Sequence, residues 1–541
     1  MNGLMMNMPL LIKNIAHHAE RLHGDREIVS ITADGAKHRY TFKDSMMRAR
    51  KVSTTLDNLG ISKFGRVGTL AWNSYKHLEL YYGVSCSERV LHTINPRLFE
   101  EQLVYIINHA ADEVIFFEAM FSNLVSKLIL QCPNVRYLVC LDKFDQNNGR
   151  QLDQAMDYEM LINDSEEGLW EDFSEETASG LCYTSGTTGN PKGVLYSHRS
   201  TVLHSYAVCL PDSAALSAVD SVLTVVPMFH VNAWGYPYAA LMAGSKLVFP
   251  GHLLGDPKTL VDLIESEDIT IAGGVPTVWH GLLSYLKQNK KKLDSLNRTV
   301  IGGSACPPSM IKEFREVHDV RVLHGWGMTE MSPIGLINQD KDKTKNLSGD
   351  AFLSQALKQG RPIPGVEIKI IDENGNDLPW NGIDVGNLLV RGPWVCRSYY
   401  EEDVEASFDN GWFDTGDIAS VDTNGYVLIT DRAKDIIKSG GEWISSIELE
   451  NIANSHPDIE QSAVIGVHHP KWEERPILVA VRKKGAIKNL EKELLDWFQN
   501  KVAKWWIPDK VIFIEQLPLT ATGKVSKLAL RAKYSQANEI L

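Results

Sequence analysis

Leu11, Ile12, Ile15, Ala16, Ala19 and Leu22 recur at three- and four-residue spacing ahead of Gly24, which predicts a surface helix with one buried face. Beyond residue 200, short apolar runs alternate with this helical period. SVLTVVPMF (221–229), GSKLVFP (244–250), RTVIGGSA (298–305) and VRVLHGWG (320–327) predict strands ending in glycine or proline. KTLVDLIESEDI and PSMIKEFREVHD predict amphipathic helices between them. Strand, helix, strand at this rhythm predicts parallel α/β layers, whose ligands sit beyond the carboxyl ends of the strands. The glycines at those ends therefore mark a candidate site.

From about residue 360 the pattern shortens. EIKIIDENGNDLP, GNLLVRGP and NGYVLITDR predict strands joined by Asn-Gly and Gly turns, a small antiparallel β-barrel-like unit over about 360–430. A boundary is expected near DRAKD (431–435). Past it, the serine three positions before Glu448 starts a helix in SSIELENIAN. QSAVIGV and KVIFIEQLP predict strands, and NLEKELLDWFQNKVAKWW predicts a helix ended by Pro508. The expected fold class is α/β: a large N-terminal domain (1–433) of layered α/β subdomains plus the β-rich unit, then a small mobile α+β domain (434–541).

Composition narrows the function. The chain has 541 residues, 44% of them apolar, ample for a large core. A net charge of -13 with scattered basic residues excludes a nucleic-acid footprint, so small anions need a local site. No window holds eighteen uncharged apolar residues, so no membrane span is expected, and the amino terminus lacks the early positive charge of a targeting signal. The seven cysteines are dispersed, with no CxxC pair, which fits reduced thiols in a cytoplasm.

The candidate anion site is YTSGTTGNPKG, Tyr183 to Gly193. Glycines at 186, 189 and 193 permit close backbone approach; Thr184, Ser185, Thr187 and Thr188 add hydroxyl donors, and Lys192 adds a charge. Such a loop suits a polyphosphate, although the same composition also describes an exposed linker. It is not a Walker A loop, which would need glycine at Pro191 and Ser or Thr at Gly193.

The loop resembles the phosphate loop of the adenylate-forming superfamily. The chain also carries, in that superfamily's order, VPMFHVNAWG (226–235), GWGMTE (325–330), GRPIPG (360–365), GWFDTGD (411–417), DRAKDIIKSGGEWIS (431–445) and PLTATGK (518–524). The resemblance covers about residues 40–530 and is closest to the fatty acyl-CoA synthetase branch. It implies two half-reactions: a carboxylate attacks the α-phosphate of ATP to give an acyl-adenylate and pyrophosphate, then coenzyme A displaces AMP.

By this resemblance, Ser185, Gly186, Thr187, Thr188 and Lys192, with Thr184, cradle the phosphates, and Thr329 and Glu330 position the α-phosphate. Glu330 and Thr188 are the expected magnesium ligands. Trp326 flanks the adenine, Asp417 accepts from the ribose hydroxyls, and Arg432 holds the ribose or phosphate. Lys524 bridges the carboxylate and the α-phosphate during adenylation. Lys434 is the expected hinge for a rotation after adenylation. Gly440 and Gly441 then admit the pantetheine arm, with Lys438 assisting.

His230 stands where the family places a gate to the acyl pocket. Val231, Trp234, Gly302, Gly303, Gly325, Trp326, Gly327, Met328, Met331 and Trp443 are the expected lining, and none supplies a charge for a polar acid. A short- or medium-chain apolar acid is therefore favoured, a fatty acid or 3-methylthiopropionate, with ATP, Mg2+ and coenzyme A. Relatives of this kind imply a homodimer. Two alternatives remain open: an adenylate-forming enzyme with a non-CoA acceptor, and a non-catalytic nucleotide sensor. One departure is SERVLHTINPRL (87–98), where Glu88 and Arg89 replace the family's small residues and put the local packing in question.

Overall fold

A computed structural model of the chain describes residues 1, 3–142, 152, 154–184, 190–402, 408–409, 411–439, 442–483, 485–487, 490–520 and 524–534, with only the backbone of 408, 409 and 442. The helix at the amino terminus spans Ile12–His23 and buries Ile12, Ile15, Ala16 and Ala19, while Leu22 faces outward.

Among the described residues there are four sheets. A nine-stranded sheet runs in the order Arg361–Pro362, Ile334–Ile337, Arg321–Gly327, Arg298–Ile301, Ile271–Gly274, Ser221–Thr224, Lys246–Phe249, Glu27–Ile31, Lys37–Thr41. Its inner strands are parallel, and antiparallel pairs flank it at both edges. A seven-stranded sheet is parallel except where Gly193–Ser197 turns back on Ala178–Tyr183. That antiparallel hairpin pairs Tyr183 with Gly193, so the two ends of the candidate phosphate loop lie side by side.

The run SVLTVVPMF leaves the sheet after Thr224, earlier than its apolar length predicts. The reason is Asn73, whose amide donates to the carbonyls of Thr224 and Val226 at 2.7 Å each and takes the place of a neighbouring strand. Glu88 and Arg89 are accommodated: Glu88 pairs with Lys63, and the buried Arg89 guanidinium bonds Asp57 at 2.7 Å and the carbonyl of Ile61 at 2.8 Å.

One apolar core joins Val67 and Val114 of the seven-stranded sheet to Val222 and Leu247 of the nine-stranded one. It continues into Ile368 and Val390 of a five-stranded antiparallel sheet spanning 367–432. Two further cores hold only residues from Ile437 onward, built on the sheet of strands Ile437–Ser439, Glu442–Ile444, Ile459–His469, Glu473–Arg482 and Lys510–Phe513. Here Ser445 accepts from the amide of Glu448 at 3.1 Å and starts the helix Ser446–Asn454, as the serine spacing predicts. The helix expected to reach Pro508 is shorter, Leu490–Trp497. Its buried face ends with Leu490, Leu494 and Phe498, and Asn500 adopts a left-handed φ of 61°, which a continuing helix does not allow.

Candidate active site

A cavity of about 1110 Å³ opens where the carboxyl ends of Ile271–Gly274, Arg298–Ile301 and Arg321–Gly327 face the carboxyl-terminal unit. Thr184, Lys192, His230, Val231, Trp234, Gly302, Gly303, Gly325, Trp326, Gly327, Met328, Thr329 and Glu330 line it, as do Asp417, Arg432, Lys434 and Lys524. Ser185, Gly186, Thr187, Thr188, Gly440 and Gly441 lie outside the described residues. Three expected members stand elsewhere. Met331 is fully buried and packs with Trp326 around Gly335. Lys438 and Trp443 are cross-strand partners, and the Lys438 side chain points to solvent while its amide donates to Glu474 at 3.0 Å.

Asp417 and Arg432 are register partners on adjacent antiparallel strands, which brings the guanidinium onto the carboxylate at 2.7 Å. The other carboxylate oxygen accepts from the Trp326 indole N–H at 2.8 Å. Each oxygen keeps a further lone pair for a hydroxyl. Burial pushes the Asp417 carboxyl up, and Arg432 and the indole bond oppose that.

Glu330 is buried, and its carboxylate accepts from the Tyr399 hydroxyl at 2.8 Å. The amide of Cys396 donates to its carbonyl at 2.7 Å, and the Tyr196 hydroxyl donates to the carbonyl of Thr329 at 2.7 Å. No pattern along the chain points to these supports, because they are joined only across the fold. Burial raises the Glu330 carboxyl, and among the described residues it has no ion-pair partner. A cation arriving beside it would relieve that burial. The Glu330 carboxylate is a hard oxygen donor of the kind magnesium takes together with substrate phosphates.

Lys192 is engaged by Glu402 at 3.0 Å and lies 4.5 Å above the Tyr399 ring. Its backbone closes the loop on Thr184 at 2.8 Å. Lys524 packs on Gly303, and burial first, then Arg432, lowers its pKa to about 8; Asp417 and Glu330 pull the other way. Burial, Lys524 and Arg97 lower His230 to about 3, so its imidazole is neutral.

His230 opens an unusual segment. Val231, Asn232, Ala233 and Trp234 all have left-handed φ, from 48° to 57°, before Gly235 at 80°. Each non-glycine residue there costs on the order of 1–2 kcal/mol. A side chain on Gly235 would meet the His204 ring at 2.7 Å. Trp234 ends over the strand ends, where a methyl group on Gly302 would stand 3.4 Å from its ring.

Comparison with known proteins decides the family. Residues 15–400 match the model for the AMP-binding enzyme family, and residues 448–524 match that for the AMP-binding enzyme C-terminal domain. The chain belongs to the AMP-binding enzyme family. It is 51% identical over 538 residues to the 3-methylmercaptopropionyl-CoA ligase of Ruegeria lacuscaerulensis, covering 99% of each protein. It is 49% identical over 535 residues to the medium-chain-fatty-acid–CoA ligase of Ectopseudomonas oleovorans, covering 99% of this chain and 98% of the relative. The fold matches the anthranilate CoA ligase AuaEII in complex with anthranoyl-AMP at a TM-score of 0.87, with 24% identity and 99% of both chains covered. ATP-bound MatB from Rhodopseudomonas palustris superposes at 0.82, with 25% identity over 98% of this chain and 99% of MatB. No helix among the described residues is long and apolar enough to cross a membrane.

Proposed function

We propose that this family member is an ATP-dependent, AMP-forming acyl-CoA ligase for a short- or medium-chain apolar carboxylic acid, with 3-methylthiopropionate and medium-chain fatty acids as the leading candidates. One observation carries the reading. Lys524, Arg432, Asp417 and Glu330 line a single cavity, and Val231, Trp234, Gly302 and Gly303 of the same lining carry no charge. Full-length likeness to ligases named for those acids supports the same choice.

In the first half-reaction a carboxylate oxygen of the acid attacks the α-phosphorus, the bond to the bridging oxygen breaks, and pyrophosphate leaves. The Lys524 ammonium stands between the two anions and offsets their repulsion as they join. Asp417 receives the ribose hydroxyls, Arg432 and Lys192 hold phosphate charge, and the neutral His230 flanks the carboxylate without adding charge. Glu330 and Thr188 would hold magnesium, which when bound neutralises phosphate charge. In the second half-reaction the coenzyme A thiol, losing its proton, attacks the acyl carbon and AMP departs. The separate cores of the carboxyl-terminal unit support its rotation as a body about Lys434, with domains at 1–433 and 434–541, bringing Lys438, Gly440, Gly441 and Trp443 toward the thioester site. We assign the protein to the cytoplasm, in keeping with seven unpaired cysteines, and propose that it is a homodimer.

A screen of linear acids from acetate to palmitate, with 3-methylthiopropionate, tests the reading by pyrophosphate release and CoA-dependent AMP formation. Turnover on short or medium acids is expected. AMP formation that ignores CoA, or turnover confined to long chains, would overturn it.

A further inference from the structure

The left-handed run Val231–Gly235 has a period of three residues, so Val231 and Trp234 share a face, and both line the cavity. Asn232 points the opposite way and is buried. Its side-chain oxygen lies 3.4 Å from the Tyr81 hydroxyl and 3.6 Å from the Cys182 thiol. Tyr81 also donates to the carbonyl of Met228, and Cys182 faces the backbone amides of Val231 and Asn232. One oxygen thus lies within reach of the helix Tyr75–Ser85, where it shares the Tyr81 proton with the nearer Met228 carbonyl, and of the strand Ala178–Tyr183, where Thr93 also meets the Cys182 thiol. Asparagine also tolerates left-handed φ better than most residues, so residue type and anchor act together.

We propose that Asn232 is a positioning residue for acyl-chain length: by anchoring the left-handed turn it fixes the depth at which Trp234 closes the pocket, and so favours acids with a short apolar tail. Among the described residues Asn232 is not part of the cavity lining, and it acts through Trp234. The inference rests on the acyl-CoA ligase reading and deepens it. A turn that relaxes toward right-handed backbone swings the indole off Gly302 and lengthens the pocket.

The test compares the full-length parent with Asn232→Ala, Asn232→Gly and Asn232→Asp. Alanine removes both the backbone tolerance and the anchor, glycine removes the anchor alone, and aspartate retains both once its buried carboxyl is protonated. Steady-state kinetics with butyrate, octanoate and laurate are paired with hydrogen exchange of the peptide covering 231–235, a readout that needs no substrate. For the alanine and glycine variants, kcat/KM for octanoate relative to butyrate is expected to rise about ten-fold, with KM for ATP held within about two-fold. Exchange in 231–235 should quicken in both, and the aspartate variant should track the parent. An unchanged chain-length ratio in the alanine and glycine variants, or acid KM, ATP KM and melting temperature all moving together, would overturn the anchor. A parent that forms no AMP from any of these acids or from 3-methylthiopropionate would instead overturn the ligase reading, whatever the exchange shows.

Discussion

Lys524 lies against Gly303: a methyl group on that glycine would stand 3.5 Å from the lysine Cε and 4.0 Å from Nζ. Gly303 has φ +82°, and a side chain there would press on Val275 at 3.1 Å, so backbone and packing both favour glycine where the lysine rests. The lysine is carried in by a turn in which Thr520 and Lys524 exchange bonds and Leu519 pairs with Val525. Lys524→Ala is expected to lower ATP–pyrophosphate exchange by about two to three orders of magnitude. Thioester formation from supplied acyl-adenylate should stay near the parental rate, because the lysine serves only the first step. Both rates falling together would show that Lys524 supports the carboxyl-terminal unit rather than the chemistry.

The depressed Lys524 pKa, about 8, makes a pH prediction with a definite sign. The working form is the ammonium, present below that pKa and lost as pH rises through it. In the free enzyme kcat/KM for adenylation should therefore fall above about pH 8. Bound phosphates and carboxylate stabilise the cation, so the basic limb of kcat should lie higher than that of kcat/KM. A basic limb at the same pH in both profiles would place another group on the titration.

Glu402 holds Lys192 at 3.0 Å in a half-exposed pair, where an incoming phosphate must compete for the same ammonium. Such exposed pairs contribute about 0–1 kcal/mol. Glu402→Gln should accordingly lower KM for ATP by up to about five-fold, leave KM for the acid unchanged, and steepen the salt dependence of ATP binding. A rise in KM for ATP would mean that Glu402 orders the lysine for phosphate instead of competing with it.

Much of the site is legible along the chain because its parts are local: strand ends rich in glycine, a hydroxyl-rich loop, and Asp417 and Arg432 on neighbouring strands of one sheet. What joins them is not local. Tyr399 reaches Glu330 and Tyr196 reaches Thr329 across separations of 69 and 133 residues, with no period or spacing to announce them. The shortened helix at Trp497 has a local cause, Asn500, but one that apolar periodicity alone overrides. Met331 reads as pocket lining because it follows GWGMTE. The 3-10 turn Thr329–Met331 instead buries it under the strand.

Trp234 sets the last prediction. The residue is buried, with 8% exposure, lines the cavity and stands against Gly302. An acid long enough to reach the ring gains apolar burial up to that point and meets a clash beyond it. Within the pocket each buried methylene contributes about 0.8 kcal/mol, about four-fold in kcat/KM. Trp234→Ala should therefore leave ATP–pyrophosphate exchange intact with a long acid, move the preferred acid several methylenes longer, and weaken the shortest acids, which lose their wall. The check is the same series of linear acids run on parent and variant. If the variant weakens every acid by one factor, the indole contributes packing and the pocket floor lies elsewhere; if the optimum lengthens, the indole is the floor.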